Sequence, residues 1–321
     1  MINHTNNDMD LTPFINRVER EGLDLYNCIV HKNGKLIAEK HWKPVKRIDI
    51  RSGTKSFCST AVGFAVHEKL FSLEDYVTDC FAEDFQNEPS PLMKEMKLKH
   101  LMTMTMGFSH EHLMGAQREA MRQISDWVKY SLSQEVVYHP GEKFLYNNIG
   151  PYLMGVLIQR RAGMGLIDYL RPRLFDPLGI QDVYTVEHCP SGYDFGASGL
   201  MLDVFEYAKL GLLYLQDGIW EGRRILPEGW VQEATTPRSY TVSTKTLPGY
   251  ELYNDNTIGA TYGYFFWIGP WSKWYFACGA KDQYCVVVPE KDVVITVEAH
   301  VTQTGEPTIH AIAREIIPRL P

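Results

Sequence analysis

The sequence predicts a two-lobe α/β fold, in which strands from both chain ends form one antiparallel sheet flanked by helices, beside a helix-rich lobe. Patterns typical of strands occur near both termini, whereas helical spacing of apolar residues dominates the middle of the chain. We therefore assign residues 1–71 and 257–321 to the sheet lobe and residues 72–256 to the helix-rich lobe. A cleft between two such lobes is a common place for a small-molecule site.

The N-terminal part of the chain contains signals for a helix, a hairpin and a second helix. Residues 10–21 place apolar side chains at helical spacing. An Asn-Gly pair at residues 33–34 separates two strand-like runs, residues 23–31 and 35–41, which is a strong hairpin signal. Residues 52–70 are apolar on almost every helical face, so this helix is expected to be central and buried.

The remaining elements follow from the same patterns and from the positions of proline and glycine. Helices are expected over residues 100–106, 124–132, 150–161, 203–216 and 307–320. Strands are expected over residues 262–269, 273–278, 283–288 and 293–300. A polar loop over residues 238–256 is expected to edge the cleft.

Composition limits the classes of function. The 321-residue chain carries 32 Lys and Arg against 39 Asp and Glu, a net charge of -7, which argues against a nucleic-acid partner. No apolar run approaches the roughly 20 residues that cross a bilayer, so no membrane partner is expected. The polar start lacks a signal-peptide pattern, which predicts a cytoplasmic protein. The 6 cysteines form no C-x-x-C motif, so buried thiols are expected, and neither a metal nor a cofactor is predicted.

A candidate catalytic pair, Ser52 and Lys55, forms an S-x-x-K motif. Because positions i and i+3 share a helix face, the hydroxyl and the amine can approach each other. A serine becomes nucleophilic when a neighbouring base removes its proton, and a lysine can act as that base if burial lowers its pKa. The alternative is a Ser N-cap followed by a solvated lysine. A charge on an otherwise apolar helix nevertheless needs a reason.

Two further polar residues, Tyr146 and Asn148, lie between a Pro-Gly turn at residues 140–141 and the helix expected from residue 150. This places them on a loop at the edge of the helix-rich lobe. A phenol near a cation can serve as a general base, and an amide can orient a substrate carbonyl or amide. Ordinary surface-loop polarity is the alternative interpretation.

Together these motifs resemble those of the penicillin-recognising serine hydrolases, which include β-lactamases, penicillin-binding proteins and related esterases and amidases. The resemblance rests on S-x-x-K, Y-x-N and a later glycine-containing strand, in the family's order. Further similar segments are residues 98–108, 140–148, 175–180 and 217–226. The last of these resembles the G-x-W-x-G-x-x-I-L stretch of the esterase-like branch. The resemblance implies a β-lactamase/transpeptidase-like fold and an esterase-like or 6-aminohexanoate-dimer-hydrolase-like function.

The resemblance also implies roles for individual residues. Ser52 would be the acylated nucleophile and Lys55 its base. Tyr146 would be the second proton-transfer group, and Asn148 would orient the substrate.

The third motif of the family, K-T-G or H-x-G on an edge strand, is matched only in part. Gly279 fits the glycine, and the backbone N–H of Ala280 would join that of Ser52 in an oxyanion hole. Ala277 stands where the family usually has Lys or His, the cation that helps to hold a substrate carboxylate. Lys281 is an alternative source of that charge.

The predicted function is therefore hydrolysis of a small-molecule ester or amide through an acyl-enzyme on Ser52. Two alternatives stay open: a D-amino-acid peptidase or β-lactamase that uses Lys281 as anchor, and a non-catalytic binder with the same pocket. The oligomeric state is left open. Four aromatic residues could line an apolar pocket or pack within the sheet. They are Trp267, Trp271, Trp274 and Phe276.

Overall fold

The computed structural model describes residues 9–240, 261–269, 273–303 and 307–321. The helices in these residues are α1 (Thr12–Glu21), α2 (Thr54–His67), α3 (Val77–Cys80), α4 (Pro91–Lys94), α5 (Leu98–Met102), α6 (Gly115–Ala120), α7 (Trp127–Leu132), α8 (Ile149–Ala162), α9 (Leu166–Leu170), α10 (Val204–Leu215), α11 (Trp230–Thr235) and α12 (Pro307–Ala311). The strands are β1 (Leu25–Lys32), β2 (Lys35–His41), β3 (Ile48–Asp49), β4 (Tyr184–Thr185), β5 (Leu200–Leu202), β6 (Ile219–Trp220), β7 (Arg223–Arg224), β8 (Ser239–Tyr240), β9 (Thr261–Tyr262), β10 (Trp267–Ile268), β11 (Tyr275–Gly279), β12 (Gln283–Val288) and β13 (Val293–Ala299).

Within the described residues, eight strands form one antiparallel sheet in the order β2-β1-β13-β12-β11-β10-β9-β8. The N-terminal hairpin pairs with the last strand, with Val30 opposite Ile295, so the two chain ends meet within one sheet, close to the edge formed by β2. This confirms the predicted sheet built from both termini. The hairpin turn is also confirmed, since Asn33 and Gly34 both have positive φ, as a tight turn of this kind requires.

The two faces of the sheet are covered by different helices. On one face, α1 and α12 pack against alternate residues of the central strands, such as Tyr284 and Val286. The opposite face, which carries Cys285 and Val287, packs against α10. A Cβ at Gly211 of α10 would lie 2.6 Å from Cys285 Sγ, so a glycine is needed for this close approach. The period of two along the strands thus sorts side chains between two cores.

The helix predicted over residues 52–70 is central and buried, but it is shorter than expected. Its first residues, Arg51–Gly53, form a 3₁₀ turn, and α2 itself begins at Thr54. Almost every residue of α2 is buried, including Lys55, which is 1% exposed. Ser52 therefore precedes the α-helix rather than lying inside it.

The assignment of segments to two lobes stays a prediction. Two elements of the segment 72–256 lie with the sheet, because α10 packs on its face and β8 pairs with β9 at its edge. Most of the loop predicted to edge the cleft, and Trp271 with it, lies outside the described residues. Among the described helices, none combines the length and the apolar character that crossing a membrane requires.

Candidate active site

The 3₁₀ turn that carries Ser52 is held by the carboxylate of Asp49. Asp49 Oδ1 accepts hydrogen bonds from the backbone N–H of Arg51, at 2.7 Å, and of Gly199, at 3.1 Å. Arg51 itself has a φ of 53°, a left-handed conformation that is uncommon for residues other than glycine. The sharp turn presents a half-buried Ser52 at the entrance to α2.

Lys55 follows one helical turn later and faces Ser52. Its Nζ lies 3.0 Å from Ser52 Oγ and donates a hydrogen bond, also of 3.0 Å, to the carbonyl oxygen of Ala197. Burial, together with the positive charge of Arg118, lowers the pKa of Lys55 from its ordinary value to about 7. Much of the amine is therefore uncharged at neutral pH and offers a lone pair toward the serine hydroxyl.

Arg118 is a second cation near Lys55 that the sequence motifs did not reveal. Its Nη1 donates to Ser198 Oγ at 2.9 Å, and its Nη2 donates to Glu187 Oε1 at 3.0 Å. Ser198 adjoins Ala197, whose carbonyl accepts from Lys55, so the arginine braces the segment that positions the amine. Arg118 belongs to no motif, and only the folded chain brings it close to the site.

Tyr146 completes the cluster expected from the sequence. Its ring centroid lies 4.9 Å from Lys55 Nζ. The ring stacks on Trp267 at a centroid distance of 5.6 Å and meets Tyr262 edge-on at 6.3 Å. The structure thus brings Ser52, Lys55 and Tyr146 into one cluster, and Trp267 holds the tyrosine ring.

Asn148 lies at the start of α8 and is 4% exposed. Its side-chain Nδ2 donates a hydrogen bond to the carbonyl oxygen of Leu113 at 2.7 Å. Its backbone N–H donates to the carbonyl oxygen of His112 at 3.1 Å. Its Oδ1 is buried without a hydrogen-bond partner among the described residues. The amide is thus anchored by its donor and keeps its acceptor unused. Its role toward a substrate stays a prediction.

Strand β11 packs directly against the turn of Ser52. A Cβ at Gly279 would lie 2.1 Å from the carbonyl oxygen of Ile50 and 3.1 Å from Arg51 Cβ, so a side chain at this position would separate strand and turn. Ala280 follows immediately and is exposed. This contact places the strand end beside the nucleophile, as the expected oxyanion hole requires.

Ala277, at the position where the family usually has a cation, and Lys281, the alternative source of that charge, lie in different surroundings. Ala277 is 1% exposed and belongs to the core that packs against the helices, so no charge replaces the usual Lys or His there. Lys281 lines a small cavity together with Arg51. That cavity is not lined by Ser52, Lys55 or Tyr146.

Two of the four aromatic residues weighed for a substrate pocket pack elsewhere. Trp274 and Phe276 stack on each other at a centroid distance of 5.4 Å, within the core that faces α1 and α12. Of the described aromatic candidates, Trp267 is therefore the one that contacts the cluster through Tyr146.

The family model "Beta-lactamase" matches residues 16–316 of this sequence, which is nearly the whole chain. The chain belongs to the beta-lactamase family. This agrees with the geometry of the cluster and confirms the resemblance inferred from the motifs.

Curated relatives align with about half of this chain. Protein flp of Staphylococcus aureus (strain MW2) is 23% identical over 190 residues, 54% of this chain and 38% of its own length. The lovastatin esterase of Penicillium rubens is 27% identical over 192 residues, 51% of this chain and 46% of its own length. The alignments therefore span less than half the length of either relative.

Solved structures of this fold extend over nearly the whole chain. A Bacillus anthracis protein provisionally described as a 6-aminohexanoate-dimer hydrolase superposes with a TM-score of 0.75 and 18% identity, covering 98% of this chain and 85% of its own. The octameric penicillin-binding protein homologue from Pyrococcus abyssi gives a TM-score of 0.74 and 18% identity, with coverages of 95% and 76%. At these identities the likeness establishes the β-lactamase/transpeptidase-like fold.

Proposed function

We propose that this protein is a serine hydrolase that cleaves a small-molecule ester or amide through an acyl-enzyme on Ser52. The observation that carries the proposal is the 3.0 Å separation of Lys55 Nζ from Ser52 Oγ, with the amine buried. Burial lowers the pKa of Lys55 to about 7, where a general base is most effective at neutral pH.

In the proposed mechanism, the uncharged amine of Lys55 takes the hydroxyl proton as Ser52 Oγ attacks the substrate carbonyl carbon. The N–H groups of Ser52 and Ala280 hold the resulting oxyanion. Collapse expels the alcohol or amine, which receives a proton from the Lys55–Tyr146 pair. Water then attacks the acyl-enzyme, with the same pair acting in reverse, and releases the carboxylic acid.

The substrate class follows from what surrounds the pair. An aromatic wall formed by Tyr146 and Trp267 suits an apolar acyl group. Ala277 provides no cation for a substrate carboxylate at the usual place. The name of the lovastatin esterase refers to an ester, and the provisional description of the Bacillus anthracis structure refers to an amide, so the proposal includes both bond types. A peptidase or β-lactamase anchored by Lys281 is less favoured, since Lys281 lines a separate cavity.

A fluorophosphonate probe and chromogenic esters of varied acyl length test the proposal. We expect labelling and ester turnover in the wild-type protein, and neither in Ser52→Ala. Ser59→Ala is the matched control, because Ser59 lies in the buried helix α2 that follows Ser52 and its hydroxyl has no hydrogen-bond partner among the described residues. Labelling that persists in Ser52→Ala would reject this nucleophile. A wild-type protein that neither reacts nor turns over ester would be a binder.

We also infer a cytoplasmic location. All six cysteines are free thiols, and four of them are buried, which suits a reducing compartment. Fractionation of the native cells, with detection by antibody, tests this inference, and recovery in a secreted fraction would contradict it.

A further inference from the structure

The small cavity that Lys281 and Arg51 line lies behind the turn that carries Ser52. Its volume is about 160 Å³, and one wall is the segment that leads into the turn, with Lys46, Asp49 and Arg51. The opposite wall comes from the ends of β12 and β13, with Lys281 and His300. The cavity is therefore separate from the cluster of Ser52, Lys55 and Tyr146.

The charge around this cavity is mainly positive. Lys46, Arg51 and Lys281 line it, whereas Asp49 is the one acidic residue among the described residues of its walls. The carboxylate of Asp49 is already engaged, because it pairs with Arg51 Nη1 at 2.9 Å and accepts two backbone N–H groups. In the part of the chain that the structure describes, neither Lys46 nor Lys281 forms an ion pair. The cavity therefore carries a positive electrostatic potential, which attracts anions.

The backbone on both sides of the cavity is strained. Arg51 has a φ of 53°, and on the opposite wall Lys281 and Asp282 have φ values of 71° and 66°. The carbonyl of Lys281 is pinned by the backbone N–H of Val301 at 3.2 Å and by Gln283 Nε2 at 3.3 Å. Strained residues held in place in this way are often found at ligand-binding sites.

We propose that this cavity binds a small oxyanion, a phosphate or a carboxylate, between Lys46, Arg51 and Lys281. The proposal rests on the size of the cavity, on Lys46 and Lys281, which form no ion pair among the described residues, and on the pinned, strained walls. His300 also lines the cavity, and its imidazole N–H would donate a further hydrogen bond to the anion.

Occupancy of the anion site slows acylation, a consequence that rests on the proposed function. Arg51 and Lys281 are the chain neighbours of Ser52 and Ala280, whose N–H groups form the proposed oxyanion hole. A bound anion adds negative charge behind that hole and offsets the positive charge of Lys281. The developing oxyanion is then less stable, so kcat falls.

Inorganic phosphate is the first probe, with acetate as the carboxylate probe, each titrated by calorimetry at constant pH and ionic strength. We expect saturable binding of at least one anion to the wild-type protein, and at least about tenfold weaker binding after Lys46→Gln with Lys281→Gln. Lys35→Gln, a change of an exposed lysine on β2, is the matched control. Circular dichroism verifies that each variant folds. Absence of saturable binding, or equal binding by all variants (an adventitious ion only), would overturn the proposal.

Enzyme kinetics test whether a bound anion slows acylation. With chloride replaced by phosphate at fixed ionic strength, we expect a lower kcat for ester turnover at an unchanged KM, and no such effect in the double lysine variant. Competitive inhibition would place the anion at the catalytic cluster and contradict the assignment. If the wild-type protein turns over no ester, the proposed function fails while the calorimetry still decides whether the anion site exists.

Discussion

Lys55 and Glu298 are both ionisable groups that are buried in the protein, but different side chains surround them. Lys55 is 1% exposed and Glu298 is 0% exposed, and within the described residues neither forms an ion pair. Burial lowers the pKa of Lys55 to about 7 and raises the pKa of Glu298 to about 8. Each group is thereby shifted toward its uncharged form.

The neighbours of the two groups decide what the uncharged form can do. Lys55 faces the hydroxyl of the half-buried Ser52. Glu298 lies in the sheet beneath α10, where Oε2 accepts a hydrogen bond of 2.8 Å from Asn27 Nδ2. Asn27 Oδ1 is in turn 2.7 Å from His41 Nδ1. The difference between the two groups indicates that a shifted pKa serves catalysis only where the group lies beside an atom that can react.

The largest effect is expected for Lys55→Met, which removes the base and retains the packing of the stem. Ester turnover should fall by about 10³-fold or more, because the hydroxyl of Ser52 then has no amine to receive its proton. Steady-state kinetics provide the measurement. Full activity in this variant would show that Lys55 resembles Glu298 and has only a structural role.

Replacement of Tyr146 by Phe sharpens the comparison by removing only a hydroxyl. The stacking on Trp267 and the contact of the ring with Lys55 Nζ are retained. If the phenol transfers a proton, kcat should fall by roughly 10²- to 10⁴-fold. Tyr146→Leu serves as the control for the ring. An activity of Tyr146→Phe near that of the wild type, with loss only in Tyr146→Leu, would assign the tyrosine to packing.

A smaller effect is expected for Arg118→Met, which removes the like charge near Lys55. The pKa of Lys55 should rise, so the acid limb of the pH profile of kcat/KM should move to higher pH, with a several-fold loss near pH 7. Arg122→Met is the matched control, since Arg122 also contacts Glu187, at 3.2 Å, but does not act on Lys55. Equal profiles for the two variants would contradict the role given to Arg118.

The smallest effect on activity is expected for Glu298→Gln, which should change kcat by less than about twofold. Its effect is instead on stability. The pKa of Glu298 is higher in the folded protein, about 8, than its ordinary value of 4.5. The folded state therefore holds more protons between these values, and the free energy of unfolding falls as pH rises through this window.

Glu298→Gln should remove that contribution, which reaches up to about 1.4 kcal/mol per pH unit. Lys55 has the opposite sign, because its folded pKa of about 7 lies below its ordinary 10.5. Stability should therefore rise from pH 7 upward, and Lys55→Met should flatten that rise. Urea unfolding at a series of pH values measures both slopes. A wild-type curve that Glu298→Gln does not alter below pH 8 would show that Glu298 is not buried as a neutral acid.

Much of the fold was predictable because its signals are local. The Asn33-Gly34 hairpin and the strands β11, β12 and β13 depend on alternation and turn chemistry, which neighbouring residues set, whereas the strand predicted over residues 262–269 is two short strands, β9 and β10. The predicted start of the buried helix, at residue 52, was less accurate, because the contacts of Asp49 and Gly279 shape the turn at Ser52. Those contacts join distant parts of the chain.

The catalytic candidates divide in the same way. Spacing predicted that Ser52 and Lys55 can approach each other, since three residues make nearly one helical turn, and the family resemblance then favoured a catalytic pair over a capping serine with a solvated lysine. Ala197 could not be predicted, because it lies 142 positions from the amine it contacts. The side chains of Trp274 and Phe276 were equally ambiguous, since a strand pattern does not say which face of the sheet a pocket occupies.

The sequence by itself determined the sheet from both chain ends, the family motifs and the short distance between a hydroxyl and an amine. Only the tertiary structure decided that the amine of Lys55 is buried, that Arg118 lies near it and that Lys281 lines a separate cavity. The physical reason is that spacing within an element is fixed by backbone geometry, whereas burial and electrostatic potential depend on atoms contributed by the whole chain.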